Sequence, residues 1–406
     1  MKKILIATHV RFWLEDKGSS KRISSLIRFF CSKNISVHVY YAGFVDNDTL
    51  KKIERTYDDL FFYADNYNGR NFNLVIFKKF TARALASFSR RFEYGTFFGE
   101  IQPKGFASKY RYYRKSRFNE IKKDVRPNSI IVEYVSLAYL IEDIYYAYEN
   151  RPLLLIDTHD ILYLRYQSFK NSGLSHWVEI SREQEISYLS KFDIVIAIQE
   201  REKKILEDML PGKTIIEVAY PCAVKKHGKV GSLPLKIGYV GTSSAENQDA
   251  ITGFIENIWL PLRKKFNESL SLDIYGKICD VLEGYRDIDG INIYGRFEDL
   301  EAVYDNLDIV INPIRSGGGI KVKNVEALCH SMPLLTTDCG SQGLERGKND
   351  AFLCGNAYDE QFEQLSRLIA SPELRAELSL KAYAFARREF NEAKCYNELL
   401  DVIKRY

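Results

Sequence analysis

At 406 residues the chain is too long for one ordinary hydrophobic core, so two domains are expected. With 46% hydrophobic and 28% charged residues it reads as a soluble globular protein. The net charge of +4 is mild but uneven: thirteen Lys/Arg against three Asp/Glu fall between Lys78 and Lys123, which leaves the rest of the chain acidic. The seven cysteines form no CxxC pair and no even framework, which excludes a zinc ribbon and a disulfide scaffold and suits reduced thiols. The opening "MKKILIATHVRFW" has too short an apolar run for a signal peptide and reads as a first β-strand. Since no stretch reaches the length of a membrane span, a cytoplasmic protein is expected.

In chain order, short apolar runs alternate with longer helical patterns, the signature of parallel sheets built from βαβ units. The first half predicts strands at Lys3–Thr8, Ser36–Tyr41, Asn73–Phe77, Ser129–Tyr134, Pro152–Asp157, Asp193–Ile198 and Thr214–Ala219. "YPCAVKKHGKVGSLP" is polar and aperiodic and marks a linker. A second series follows: "LKIGYVG", "LSLDIYG", "INIYG", "LDIVINP", "PLLTT" and "AFLCG", then a charged helical tail. The division expected is an N-terminal Rossmann-like domain over 1–222, a linker over 223–234, a C-terminal Rossmann-like domain over 235–385 and a terminal helix over 386–406.

In open α/β sheets ligands bind beyond the carboxyl ends of the strands, so the residues just after each strand carry the information. Those of the second half are Gly241-Thr242, Gly276-Lys277, Arg296-Phe297 and then "NPIRSGGGIKVKNVEALCHSMPLLTTDCG". There Gly317-Gly318-Gly319 lets a phosphate approach the backbone, and the following helix offers unpaired N–H groups. Arg315, Lys321 and Lys323 supply cations for a diphosphate, and Glu326 supplies a carboxylate for ribose hydroxyls. The plainer reading is a glycine turn with solvated lysines, Lys323 pairing with Glu326 at i, i+3. No Gly-Lys-Ser/Thr follows, so this is not a Walker A loop.

The ordered set "GYVGTSS…NQDAI…SLDIYGK…INIYGRFEDLEAVYDNLDIVINPIRSGGGIKVKNVEALCHSMPLLTTDCGSQGLE" resembles the donor domain of GT-B glycosyltransferases of the group 1, or family 4, type. "IDTHDILYLR" and "AIQEREKKIL" resemble that family's acceptor-side domain more weakly. The resemblance implies an α/β fold of two Rossmann-like domains facing across a cleft, with a C-terminal helix crossing back. It also implies retaining transfer of a sugar, of hexosyl or related type, from a nucleotide diphosphate donor to a hydroxyl of a glycan or lipid-linked acceptor in surface polysaccharide biosynthesis. No cofactor and no metal are expected. Carried over, the donor side comprises Gly241, Thr242, Lys277, Arg296, Phe297, Arg315, Gly318, Gly319, Ile320, Lys323 and Glu326, with Lys321 stabilising the leaving diphosphate. Glu326 matches the second Glu of the family's Glu-x7-Glu motif, whose first Glu is replaced by Gly318. The usual Arg-x4-Lys clamp gives way to Gly241-Thr242-Ser243. An epimerase or phosphorylase on the same architecture, or a non-catalytic partner subunit, remains an alternative.

On the acceptor side, His159 and Asp160 follow a strand and are placed as catalytic residues, with Asp157 or Asp160 expected to orient the imidazole. His9, Gly18, Ser19, Arg22 and Arg165 complete that side; the plainer alternative for Gly18–Ser20 is a helix cap. Asp46-Asn47-Asp48 and Asp287-Ile288-Asp289 spell Asp-x-Asp, but the first precedes a helix that Asp48 would cap and the second sits in a turn. "KYRYYRKSRF" interleaves cations and aromatics, so the basic 78–123 segment suits either an anionic membrane surface or a solvated helix. No motif accompanies it that would indicate nucleic acid.

Overall fold

The computed structural model describes residues 1–68, 110–145, 151–173, 178–226, 233–266 and 269–406. The chain forms two compact units. The first comprises Met1–Gln167, His176–Val218 and Tyr396–Tyr406; the second comprises Ser168–Ser175 and Ala219–Cys395.

The first unit is built on eight strands: β1 (Lys3–Thr8), β2 (Ser36–Tyr41), β3 (Leu60–Ala64), β4 (Tyr67–Asn68), β5 (Ser129–Glu133), β6 (Leu153–Asp157), β7 (Ile194–Ala197) and β8 (Thr214–Glu217). They lie in the order β4-β3-β2-β1-β5-β6-β7-β8. All neighbours pair in parallel except the short β3–β4 hairpin. Every residue of β2, β5, β6 and β7 is buried, as a parallel sheet covered on both faces requires. The sequence left β3 unread, and the strand expected at Asn73–Phe77 lies outside the described residues. The helix Gly18–Cys31 covers β1 and β2, and Tyr396 of the terminal helix Glu392–Arg405 packs on it, its ring 4.8 Å from Phe29 and its hydroxyl donating to Ser25 at 3.0 Å.

The second unit has β9 (Leu235–Val240), β10 (Leu270–Tyr275), β11 (Ile291–Gly295), β12 (Ile309–Asn312), β13 (Leu334–Thr336) and β14 (Leu353–Cys354), all parallel, in the order β11-β10-β9-β12-β13-β14. The order reverses in both sheets, between β1 and β5 in one and between β9 and β12 in the other. At such a reversal the connections leave in opposite directions and open a crevice at the carboxyl edge.

Several local expectations change. The cap of the helix Asn47–Thr56 is Asp46, which accepts the Thr49 N–H at 2.8 Å, so Asp48 is not the cap. Asp289 pairs with Arg263. The described part of the basic segment is the helix Arg111–Val125, whose cations are largely spent inside the unit. Arg111 and Lys115 meet Glu142, Arg114 meets the buried Asp65, and Arg117 meets Glu120. All seven cysteines are free thiols. Among the described residues no helix is long and apolar enough to cross a membrane.

One glycine fixes the tip of β10. Gly276 sits at φ 99°, and a Cβ there would stand against the Gly241 carbonyl, which already accepts the Ile278 N–H at 3.1 Å. Gly276→Ala is expected to lose about 1–3 kcal/mol of stability, measured by urea unfolding. A loss below about 0.5 kcal/mol, the range of an ordinary surface substitution, would show that the tip relaxes freely.

Candidate functional site

In the second unit the crevice between β9 and β12 is lined by the predicted loops. Gly317 and Gly319 take φ of 119° and 66°, which is why glycine stands there. Lys321, buried, closes the loop from beneath: its ammonium donates to the carbonyls of Gly318 and Gly319 at 2.8 Å each. The helix Val322–Cys329 begins immediately after it, and Ile320 packs against the adjoining apolar cluster. Loop, buried cation and helix N-terminus thus form one structure.

Lys323 does not make the expected pair with Glu326 its main contact. Its Nζ donates to Asn247 Oδ1 at 2.8 Å and to the Tyr239 hydroxyl at 3.2 Å, and lies 4.5 Å from the centre of the Tyr239 ring. Asn247, which sequence reasoning did not single out, is the hub: its amide also donates to Thr242 Oγ1 and Ser244 Oγ at 3.0 Å each. Burial pulls the Lys323 amine from its ordinary 10.5 down to about 7, with Lys321 adding repulsion. Glu326 is buried on the same helix, and its carbonyl accepts from the His330 ring at 2.8 Å. Asn312 and Asn324 bond side chain to side chain at 2.9 Å, and Asn324 also reaches Thr336 and Gly340, which braces the base of the loop.

The remaining donor-side candidates are more peripheral. Arg315 is exposed, bonds Asp249 at 3.2 Å and lies over Tyr358. Arg296 is exposed and pairs with Asp280 at 2.9 Å. Phe297 meets the Tyr275 ring edge-on at 6.4 Å. Lys277 opens the short 3-10 turn after Gly276, beside the backbone of Gly241.

In the first unit the carboxyl ends of β1, β5 and β6 hold a dense cluster. Arg22 makes an ion pair with Asp157 at 2.8 Å, both side chains buried. His159 Nε2 lies 2.6 Å from Glu133 Oε2, a contact sequence reasoning missed. The expected orienting groups do other work: Asp157 holds Arg22, and Asp160 pairs with Arg165. Tyr134 stacks on His159 with centroids 4.1 Å apart and planes 9° from parallel, and the His9 ring lies tilted 5.3 Å from Tyr134. Ser19, in the first turn after Gly18, hydrogen-bonds Tyr134. Burial pulls His9 down to about 4, helped by repulsion from His159 and Arg114, so it is neutral at pH 7.

Burial, then repulsion from Asp157, raises the Glu133 carboxyl above its ordinary range. Glu133, Asp157 and His159 bring three atoms of metal-ligating type within 4.8 Å. Asp157, however, already accepts the Arg22 Nε–H at 2.9 Å on one oxygen, within an ion pair, and faces the His159 backbone N–H at 3.4 Å with the other. Glu185 completes the frame: its carboxylate accepts the N–H groups of Leu162 and Tyr163 at 2.8 and 2.9 Å, fixing the helix that follows His159 and Asp160.

A glycine loop over a buried lysine, at the strand-order reversal of a parallel sheet, narrows the choice of protein. Residues 234–371 match the family described as Glycosyl transferases group 1. The matched stretch holds all six strands of the second unit. Over 105 residues it is 26% identical to an uncharacterized 44.6 kDa protein in the cps region of Klebsiella pneumoniae. That match covers 25% of this chain and 26% of the relative, so about a quarter of the curated relative's length is spanned. Among solved structures it is similar to TarM (TM-score 0.73, 12% identity, 99% of both chains). It is also similar to Anabaena HepE, solved in complex with UDP and glucose (TM-score 0.66, 11% identity, 100% of both chains). At such identities the likeness shows the fold, which is the GT-B pair of Rossmann-like domains.

The depressed Lys323 pKa has a thermodynamic consequence. Between about 7 and 10.5 the unfolded chain holds the proton and the folded chain releases it, so this residue makes stability rise with pH across that window. Lys323→Met is expected to flatten the dependence, measured by urea unfolding between pH 7 and 10. Parallel curves for the two proteins would show that Lys323 stays charged.

Proposed function

We propose that this protein is a group 1 glycosyltransferase, metal-independent and retaining. It moves a sugar, of hexosyl or related type, from a nucleotide diphosphate donor to a hydroxyl of a glycan or lipid-linked acceptor. The observation that carries the reading is the Gly317–Gly319 loop tied to the buried Lys321 ammonium at the start of a helix. A glycine loop, a buried cation and a helix start meet there, which suits a leaving diphosphate. Lys323 adds an amine that an arriving diphosphate would recharge, and Glu326 a carboxylate for ribose hydroxyls. Metal independence rests on the cations already built into both units: Lys321 beneath the loop, and Arg22 on the Asp157 carboxylate.

The neighbours support the donor class. HepE is solved with UDP and glucose, and a mutant of S. aureus TarM with Fondaparinux, alpha-GlcNAc-glycerol and UDP. The cps-region relative supports a place in surface polysaccharide assembly. In a retaining transfer of this kind the acceptor oxygen forms its bond to the anomeric carbon on the face the diphosphate leaves. The departing phosphate oxygen takes the acceptor proton. The protein's part is then orientation and charge stabilisation, and loss of one charge-stabilising group costs about 3–4 kcal/mol, or 10²–10³ in kcat.

The test is a thermal-shift panel of UDP, GDP, ADP, CDP and dTDP, with and without EDTA. Saturation at 100 times Kd adds about 2.7 kcal/mol, or a few degrees in Tm. One nucleotide is expected to stabilise the wild type, EDTA making no difference, and to lose its effect in Lys321→Ala and Glu326→Ala. No shift with any of the five would favour the non-catalytic partner. At pH 8 binding should also take up a proton through Lys323, read by calorimetry in buffers of different ionisation enthalpy. Buffer-independent heats would contradict that role.

A further inference from the structure

The side chain of Asn247 is buried, and both ends of its amide are fully used. Its Oδ1 accepts from Lys323 Nζ at 2.8 Å and from the Tyr239 hydroxyl at 3.1 Å. Its Nδ2 donates to Thr242 Oγ1 and Ser244 Oγ at 3.0 Å each. A charged amine can only donate, so Lys323 fixes which end of the amide faces it, and the two hydroxyls meet the other end. One side chain thereby joins the tip of β9, the start of the helix Ala245–Phe254 and the start of the helix Val322–Cys329. Ser244 departs from local rules to take part. It is the N-cap of Ala245–Phe254, yet its side chain makes no cap hydrogen bond, the contact such a serine normally supplies.

A bracket that served stability alone would pair donors with acceptors until no hydrogen was left over. This one leaves three. The Lys323 ammonium has three N–H groups and gives two of them to Asn247 and Tyr239. Thr242 and Ser244 accept from Asn247, and each keeps its own O–H. Among the described residues none of these three hydrogens meets an acceptor. Thr242, Ser244 and Lys323 are all half-buried, so a solute can reach them. Burial disfavours charge on the Lys323 amine, Glu246 and Glu326 favour it through space, and neither carboxylate is bonded to it.

Such a site depends on the amide being neutral. An aspartate of the same shape would hold Lys323 as well, but it would cancel the charge and draw the hydroxyl hydrogens onto its second oxygen. We propose that Asn247 is a positioning residue, whose neutral amide fixes the Lys323 amine with its charge available and leaves the Thr242 and Ser244 hydroxyls as donors to the diphosphate of the sugar nucleotide. The sugar nucleotide rests on the glycosyltransferase reading above; the arrangement of donors for a diphosphate does not.

The experiment titrates the full chain with inorganic pyrophosphate, which carries the diphosphate chemistry without base or sugar, and with UDP, GDP, ADP, CDP and dTDP. Asn247→Asp is compared with the apolar Asn247→Leu, and the stability of each is measured by urea unfolding. Asn247→Asp is expected to retain more stability than Asn247→Leu, because it keeps a partner for the Lys323 amine. It should nevertheless bind pyrophosphate at least tenfold more weakly than the wild type. A smaller loss overturns the proposal, and so do affinity losses that simply follow the losses of stability. Where the wild type binds a nucleotide but not pyrophosphate, the same tenfold criterion applies to that nucleotide. Should neither variant fold, Thr242→Val decides: a loss of at least threefold upholds the proposal and a smaller one overturns it. Pyrophosphate bound without any of the five nucleotides would uphold the donor arrangement and refute only the sugar-nucleotide reading. A nucleotide bound equally well by Asn247→Asp would do the reverse. A wild type that binds none of the six overturns both.

Discussion

A parallel sheet has one chemically distinct edge, the carboxyl end of its strands, and at one point along it the connections diverge. Everything of functional interest here depends on that constraint. In the first unit the divergence falls between β1 and β5, and His9, Glu133, Tyr134 and the Asp157–Asp160 turn gather around it. In the second it falls between β9 and β12, and Gly241, Thr242, the glycine loop and Lys323 gather there. Neither group could assemble elsewhere on its sheet, because only at the reversal is the edge left uncovered by its own crossovers.

The two sites handle buried charge differently. The first unit sets each buried carboxylate at its strand tips against a nitrogen-bearing side chain, Asp157 against Arg22 and Glu133 against His159. The second buries amines beside few acids. Lys321 is held by carbonyl dipoles and Lys323 by an amide oxygen and an aromatic face. Burial lowers the Lys323 amine, and Glu246 and Glu326 act against that shift. A diphosphate bound there, as proposed, would favour the charged amine, and Gly318 keeps a negative charge away from the loop.

The framework was legible in the sequence where burial is complete. Apolar runs such as "ILIA" and "IVI" announce parallel strands because both faces must be covered, and the strand tips then follow by counting. β3, "LFFYA", was not legible: only two of its five residues are buried, and it becomes a strand by pairing with β2. Site residues were readable where backbone chemistry set them, as at the glycine loop, and unreadable where a tertiary contact did. Glu133 and His159 are 26 positions apart, and Asn247 and Lys323 are 76 apart. No local pattern links them. For Lys323 the local rule pointed to Glu326, and its hydrogen bonds go instead to the distant Asn247 amide and Tyr239 hydroxyl.

The central claim is that a nucleotide diphosphate lies on the second unit at the β9–β12 reversal. Hydrogen–deuterium exchange of the full chain, with and without the stabilising nucleoside diphosphate, tests it most directly. The account predicts protection at residues 241–247 and 315–326, where the glycine loop, the helix start and the Asn247 hub meet. Protection confined to the first unit, or spread evenly over both, would contradict it.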